Sequence, residues 1–166
     1  MFSYILAVLT GVATFVFDLM TKKYIVANFE LYDTREFIPG LIDLHYIHNT
    51  GAAWGILEGK TWLLLVFTFA VMALCIGYLI KTKNKSRLLF WAIALVISGG
   101  LGNMCDRIFR DGKVVDFLHF EFFPTFPVFN IADCAIVVGS GLLMLYFIID
   151  TVKEYKNKKQ DKDADI

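Results

Sequence analysis

Four long uncharged stretches organise the chain: residues 2–17, 61–80, 88–105 and 134–149. A bilayer core of about 30 Å takes about 20 helical residues, with a range of roughly 17 to 25. The second stretch meets that length unaided, and the third is just long enough. The first and fourth reach it only if their helices take in Asp18 or Asp133. The pattern therefore predicts a mainly α membrane protein, with four transmembrane helices over about 2–26, 61–80, 88–105 and 128–149 in a membrane domain spanning 1–152. Between the first two helices, "LIDLHYIHN" alternates apolar and polar residues and is bounded by Pro39-Gly40 and Gly51. That period of two predicts short strands, hence a small β-sheet within about 28–60.

Composition agrees with the pattern. The 57% hydrophobic share and mean hydropathy of +0.60 exceed the roughly 45–50% apolar usage of soluble domains. The net charge is zero, so no basic field points to nucleic acid, and none is expected as a partner. The placement of charge is more informative. "KTKNKSR" (81–87) holds four cationic residues and no acid, and Lys153 to Lys162 holds five lysines. Basic segments stay on the cytoplasmic side, so both termini are expected there, including a solvated, partly disordered charged tail at 153–166. The sheet at 28–60 and the segment 106–128 then face outward. The first stretch has no basic leader and no small-residue cleavage site ahead of Asp18, and is expected to be retained as a span. Cys75, Cys105 and Cys134 are an odd number without CxxC spacing, and read as unpaired buried thiols.

Acids at span ends are the candidate chemistry, because an intramembrane carboxylate is costly and marks a site by default. Asp133 stands three residues after Asn130, which puts both on one face of a helix beginning near Phe129. A helix-start acid favoured by the macrodipole is its alternative role. "GGLGNMCDRIFRDGKVVDF" places Asn103, Asp106 and Arg107 where the third span ends, with Gly99, Gly100 and Gly102 allowing close helix approach. Asp106 reads mainly as interfacial charge beside Arg107 and Arg110. Asp116, inside "VVDF", is flanked by apolar residues that would hold it against the membrane face, with a strand-edge or capping role as the alternative. Two carboxylates brought together at an apolar boundary share a proton, which equips them for acid–base work without a metal or a nucleophilic side chain. Asn49 and Gly51 in "HNTGAAWG" suit close backbone approach to a ligand. Asp18 and Lys22 stand at i, i+4 and read as a structural ion pair, with a part in shaping the site as the alternative.

From "DLMTK" through "NTGAAWG", "GGLGNMCDR" and "VVDF" to "FNIAD", these segments resemble the lipoprotein signal peptidases, or signal peptidase II, intramembrane aspartic proteases of bacteria. Five motifs in order between four spans carry the resemblance. It implies that Asp116 and Asp133 are the catalytic dyad and that Asp18, Asn49, Gly51, Asn103, Arg107, Asn130 and Ala132 line or support the site. It also implies an inner-membrane location with the site near the outer face. The implied activity is removal of signal peptides from diacylglyceryl-modified prolipoproteins, cut before the lipidated cysteine. The implied partners are that substrate and membrane lipid, the working form is a monomer, and no cofactor or metal is expected. Leu19 stands where the family usually has Gln, and Cys134 where Ser or Thr is common.

Three other chemistries compete. Acids and amides within spans also build transporters and channels, but here the polar residues gather at one membrane face and form no relay to the other. A metal hydrolase would draw on His45, His48 and His119, of which His45 and His48 would point to opposite faces of a strand. A Cys105 or Cys134 nucleophile has no histidine at helical spacing.

Overall fold

A computed structural model describes residues 2–83 and 86–164, with side chains to residue 160. Asn84 and Lys85 of the basic connection, the side chains of 161–164, and residues 165 and 166 of the tail lie outside the described residues. Among the described residues there are four α-helices: α1 (Phe2–Asn28), α2 (Thr61–Lys81), α3 (Arg87–Phe109) and α4 (Ile131–Ala164). Each is long and apolar enough to cross a membrane. Helix α3 is the centre of the bundle, packed against α4, α1 and α2.

Small residues permit that packing. A Cβ on Gly99 of α3 would strike the backbone oxygen of Ala132 on α4, and one on Gly102 would come within 2.5 Å of Asp18 Oδ2 and 3.1 Å of Ala132 Cβ. Three helices thus meet where two glycines remove side chains. Gly100, expected to serve likewise, faces α2, where its Cβ would lie 3.3 Å from Met72 Sδ. Much of the remaining helical surface is apolar and outward-facing: Phe67, Leu74 and Val137 are 67%, 73% and 71% exposed. For four membrane-length helices this is a surface suited to lipid.

The sheet differs from the sequence expectation. It has three strands in the order β1–β2–β3, all antiparallel: β1 (Thr34–Ile38), β2 (Ile42–Asn49) and β3 (Val114–Phe120). Only β1 and β2 lie between the first two helices; β3 comes from the α3–α4 connection. "VVDFLHF" is rich in β-branched and aromatic residues, and the free edge of β2 satisfies its backbone groups. A cluster of Ile25, Phe29, Tyr46, Val115 and Phe117 seats the sheet on the end of α1.

Helix boundaries also moved. Helix α3 runs to Phe109, so Asp106 and Arg107 lie within its last turns rather than beyond it. Helix α4 begins at Ile131, not near 128, because Asn130 caps it. It continues through the lysine-rich segment, so the described part of the tail is helical instead of partly disordered. Lys, Glu and Gln are good helix formers, and a helix already begun needs no new nucleus.

Candidate active site

Strand β3 and the first turn of α4 bring Asp116 and Asp133 to one cleft of about 570 Å³. Asp116 is 1% exposed and Asp133 half-buried. Asn130 links them. Its Nδ2 donates to Asp116 Oδ1 at 2.6 Å. Its Oδ1 accepts the Asp133 N–H at 3.0 Å, and its own N–H donates to Asp133 Oδ2 at 3.1 Å. That reciprocal pair is a capping box made with an aspartate. The helix-start role of Asp133 is therefore realised, and the same carboxylate lines the cleft.

Two more amides complete the shell. Asn49 Nδ2 donates to Asp116 Oδ2 at 2.8 Å, and Asn103 Nδ2 to Asp133 Oδ1 at 2.7 Å. Asn49 is held in turn by the Gly51 N–H at 2.8 Å, while Gly51 O accepts from Arg107 Nη2 at 2.9 Å. Within its own loop Gly51 has no room for a side chain: a Cβ there would lie 2.9 Å from Ile56 O. Burial and the neighbouring Asp133 carboxylate push the Asp116 carboxyl up to about 7, against the opposing pull of the two amide donors.

Behind the pair lies a buried charge cluster. Lys22 Nζ is 2.9 Å from Asp18 Oδ2 and 3.3 Å from Asp106 Oδ2, and donates to Asn103 Oδ1 at 3.0 Å. The Asp18 contact is an ion pair without hydrogen-bond alignment, since Oδ2 has no aligned donor. Asp18 Oδ1 accepts the Ala132 N–H at 2.9 Å, and Arg110 Nε pairs with Asp106 Oδ1 at 2.8 Å. Asp106 is thus a correction. It is 3% exposed and accepts the Val115 N–H at 3.0 Å, so it is an interior node and not interfacial charge. Sequence reasoning missed the place of Asp106 in this cluster, and for Lys22 the i, i+4 spacing with Asp18 signalled the pair but not its contacts with Asn103 and Asp106.

The cleft wall is apolar away from the carboxylates, with Leu64 and Phe67 from α2, Ile136 and Val137 from α4, and Phe126 to Phe129 from the connection before it. Trp54, in left-handed conformation (φ 55°), stands edge-on to Phe126 at 5.9 Å. The histidines go elsewhere: His48 Nε2 meets Tyr46 OH at 2.8 Å, and His45 lies against Thr34 and, at 6.1 Å, His119. Among the described residues no group of three His, Cys, Asp or Glu is placed to hold a metal. The cysteines are free, and Cys134 is exposed instead of buried as expected.

A family model described as signal peptidase (SPase) II matches residues 10–149. The chain belongs to the signal peptidase II family. Lipoprotein signal peptidases of Enterococcus faecalis and Bacillus pumilus are 42% and 43% identical to it over 84% and 82% of its length, and 87% and 88% of theirs. That of Lactococcus lactis is 40% identical over 92% of this chain and 98% of its own. A bacterial membrane enzyme solved at 2.3 Å superposes with a TM-score of 0.81 and 34% identity, covering 87% of this chain and 88% of that one. As a signal peptidase II the chain is a bacterial multi-pass membrane protease of the lipoprotein-processing class.

Proposed function

We propose that Asp116 and Asp133 are the catalytic pair of an aspartic endopeptidase that cuts diacylglyceryl-modified prolipoproteins immediately before the lipidated cysteine. The observation that carries this is the convergence of both carboxylates on Asn130 at the wall of an apolar cleft. The ionised member takes a proton from water as the water oxygen attacks the scissile carbonyl, and the protonated member donates to the carbonyl oxygen. Collapse of the tetrahedral intermediate breaks the C–N bond. The acquired proton passes to the cysteine nitrogen, leaving a signal-peptide carboxylate and a free α-amine. An Asp116 carboxyl held at about 7 is able to give and take a proton at neutral pH.

Lipid recognition rests on the walls. Helices α2 and α4 touch through Tyr78, Tyr146 and Phe147, and nearer the sheet both line the cleft. A diacylglyceryl chain entering between them meets Phe67 and Val137 while its cysteine reaches the carboxylates. Asp133 follows the first residue of α4 by two positions, about 3 Å along the axis, so the site lies close to one membrane face. The basic 81–87 connection and lysine-rich tail favour the outer face, with both termini cytoplasmic.

Cleavage of a synthetic lipidated precursor tests the reading. Asp116→Asn and Asp133→Asn are each expected to lose at least ~10³-fold in rate, and the double variant to be scarcely slower, since groups acting as a unit are not additive. An Asn variant at either position that keeps a substantial fraction of the rate overturns it. Equal rates on unlipidated precursor overturn the lipid part alone.

A further inference from the structure

Lys22 is fully buried, and three oxygens surround its ammonium: Asp18 Oδ2, Asn103 Oδ1 and Asp106 Oδ2, at 2.9, 3.0 and 3.3 Å. Each leads in one step to the reacting pair. Asp18 accepts the N–H of Ala132, the residue before Asp133. Asp106 accepts the N–H of Val115, the residue before Asp116. Asn103 donates to Asp133 itself. Helix α1, which carries neither carboxylate of the pair, therefore reaches the backbone beside both.

We propose that Lys22 is a positioning residue for the reaction: touching neither Asp116 nor Asp133, it fixes β3 and α4 relative to each other by gathering Asp18, Asp106 and Asn103 on one cation. The proposal rests on the reading of Asp116 and Asp133 as the catalytic pair. Geometry makes lysine suited to the place. An ammonium offers three donors from one point and no acceptor, so with Asn130, which also donates to Asn103 Oδ1 at 3.1 Å, it compels that amide to turn its nitrogen toward Asp133. A purely structural pair needs one carboxylate, whereas this cation holds two, each spending an oxygen on the chain just before a reacting residue. A displacement of about 1 Å at such a site is enough for ~10²-fold in rate.

Lys22 also acts through its charge. The groups facing it are Asp18 from α1, Asn103 and Asp106 from α3 with Arg107 and Arg110 beyond them, Asp116 from β3 and Asp133 from α4. Its field lowers the Asp116 carboxyl against the raising effects of burial and Asp133. Without it, ionisation at Asp116 requires higher pH.

The experiment compares full-length wild type, Lys22→Met, Lys22→Met/Asp18→Asn and Asp116→Asn on a synthetic diacylglyceryl-cysteine precursor. The second variant removes one charge of each sign and keeps an oxygen for the Ala132 N–H, so it carries the test should the single variant not fold. Expected are a fall in kcat of ~10²-fold with KM within about twofold, and, in Lys22→Met, an alkaline limb of the kcat profile moved to higher pH, since the shared proton is then held more tightly. Near-normal kcat in the folded double variant, a change confined to KM, or an alkaline limb of Lys22→Met left in place overturns the proposal. So does failure of the neutralised double variant to fold, which would make Lys22 a folding residue. An active Asp116→Asn would instead sink the catalytic-pair reading, whereas an inactive one beside fully active Lys22 variants sinks only this inference.

Discussion

Asn130 and Asp133 cap each other across the first turn of α4, with N–H to oxygen distances of 3.0 and 3.1 Å in the two directions. The side-chain nitrogen of the same asparagine donates to Asp116 Oδ1 at 2.6 Å and to Asn103 Oδ1 at 3.1 Å. Helix initiation and alignment of the carboxylate pair are thus one event, performed by one fully buried side chain. Asn130→Ala should therefore do two things. Loss of the cap should lower stability by about 1 kcal/mol, and freeing both carboxylates should lower kcat by roughly 10²-fold. Thermal unfolding in detergent and cleavage kinetics separate the two effects; full activity in Asn130→Ala would show that the pair aligns itself.

The spans were legible because uncharged runs of membrane length allow few other structures, and the carboxylates because a charge has no cheap place beside such runs. Asn130 to Asp133 could be read as one helical face since three residues separate them. The third strand was not legible. "VVDFLHF" is too short for periodicity to decide between strand and connection, and its partner β2 lies 65 or more residues away, with Asn49 opposite Val114. The interior of the charge cluster was hidden for a similar reason: Asp106 has Arg107 and Arg110 beside it in sequence, which is how exposed interfacial charge looks. Its burial depends on α1 supplying Lys22, 84 positions earlier.

That burial turns Asp106→Asn from a neutral change into a damaging one. The amide would place a donor against Lys22 and the Val115 N–H, or against Arg110 Nε. Removing one partner of a buried ionic group typically costs about 3–5 kcal/mol. A large drop in unfolding midpoint is expected, where an interfacial charge would give almost none.

Helix contact at Gly99 should be equally unforgiving. The atom that a new Cβ would strike is the backbone oxygen of Ala132, which cannot rotate away. Gly99→Ala should therefore push α4 off α3, cost about 1–3 kcal/mol and displace Asp133, one residue further on. Gly100→Ala meets the flexible end of Met72 at 3.3 Å and should be mild. Cleavage rates and unfolding midpoints of the two variants, compared side by side, check the contrast; equal behaviour would contradict it.

Topology is testable in a background with Cys75, Cys105 and Cys134 replaced by alanine. A cysteine at Glu36, in the exposed strand β1, should react with an impermeant maleimide added to intact cells. Cysteines at Lys83 or Lys156 should react only after permeabilisation, because basic segments remain inside. Labelling of either from outside would invert the arrangement. The same alanine background should cleave at the wild-type rate, with or without EDTA, as a carboxylate pair needs neither thiol nor metal.

Asp116 predicts how stability and activity vary with pH. Its carboxyl sits at about 7 in the folded chain against an ordinary value of 3.8, so the folded state holds the proton more tightly than the unfolded state does. The linked stability is fully present below about pH 4 and declines as pH rises, until it is lost above about 7, where folded Asp116 ionises as well. Asn in its place cannot ionise, so Asp116→Asn should remove this decline: whatever its new amide nitrogen costs against the Asn49 or Asn130 donor, its midpoint should gain on that of wild type between pH 5 and pH 8. Activity should respond to the same proton: cleavage by the wild type should fall above about pH 7 as the pair loses its shared hydrogen. Unfolding midpoints of both proteins across pH 5–8, with wild-type cleavage rates over the same range, test the two halves together. A wild-type midpoint that follows Asp116→Asn in parallel at every pH would mean that Asp116 is already ionised in the folded chain at pH 5, and the proton-sharing mechanism would lose its physical basis.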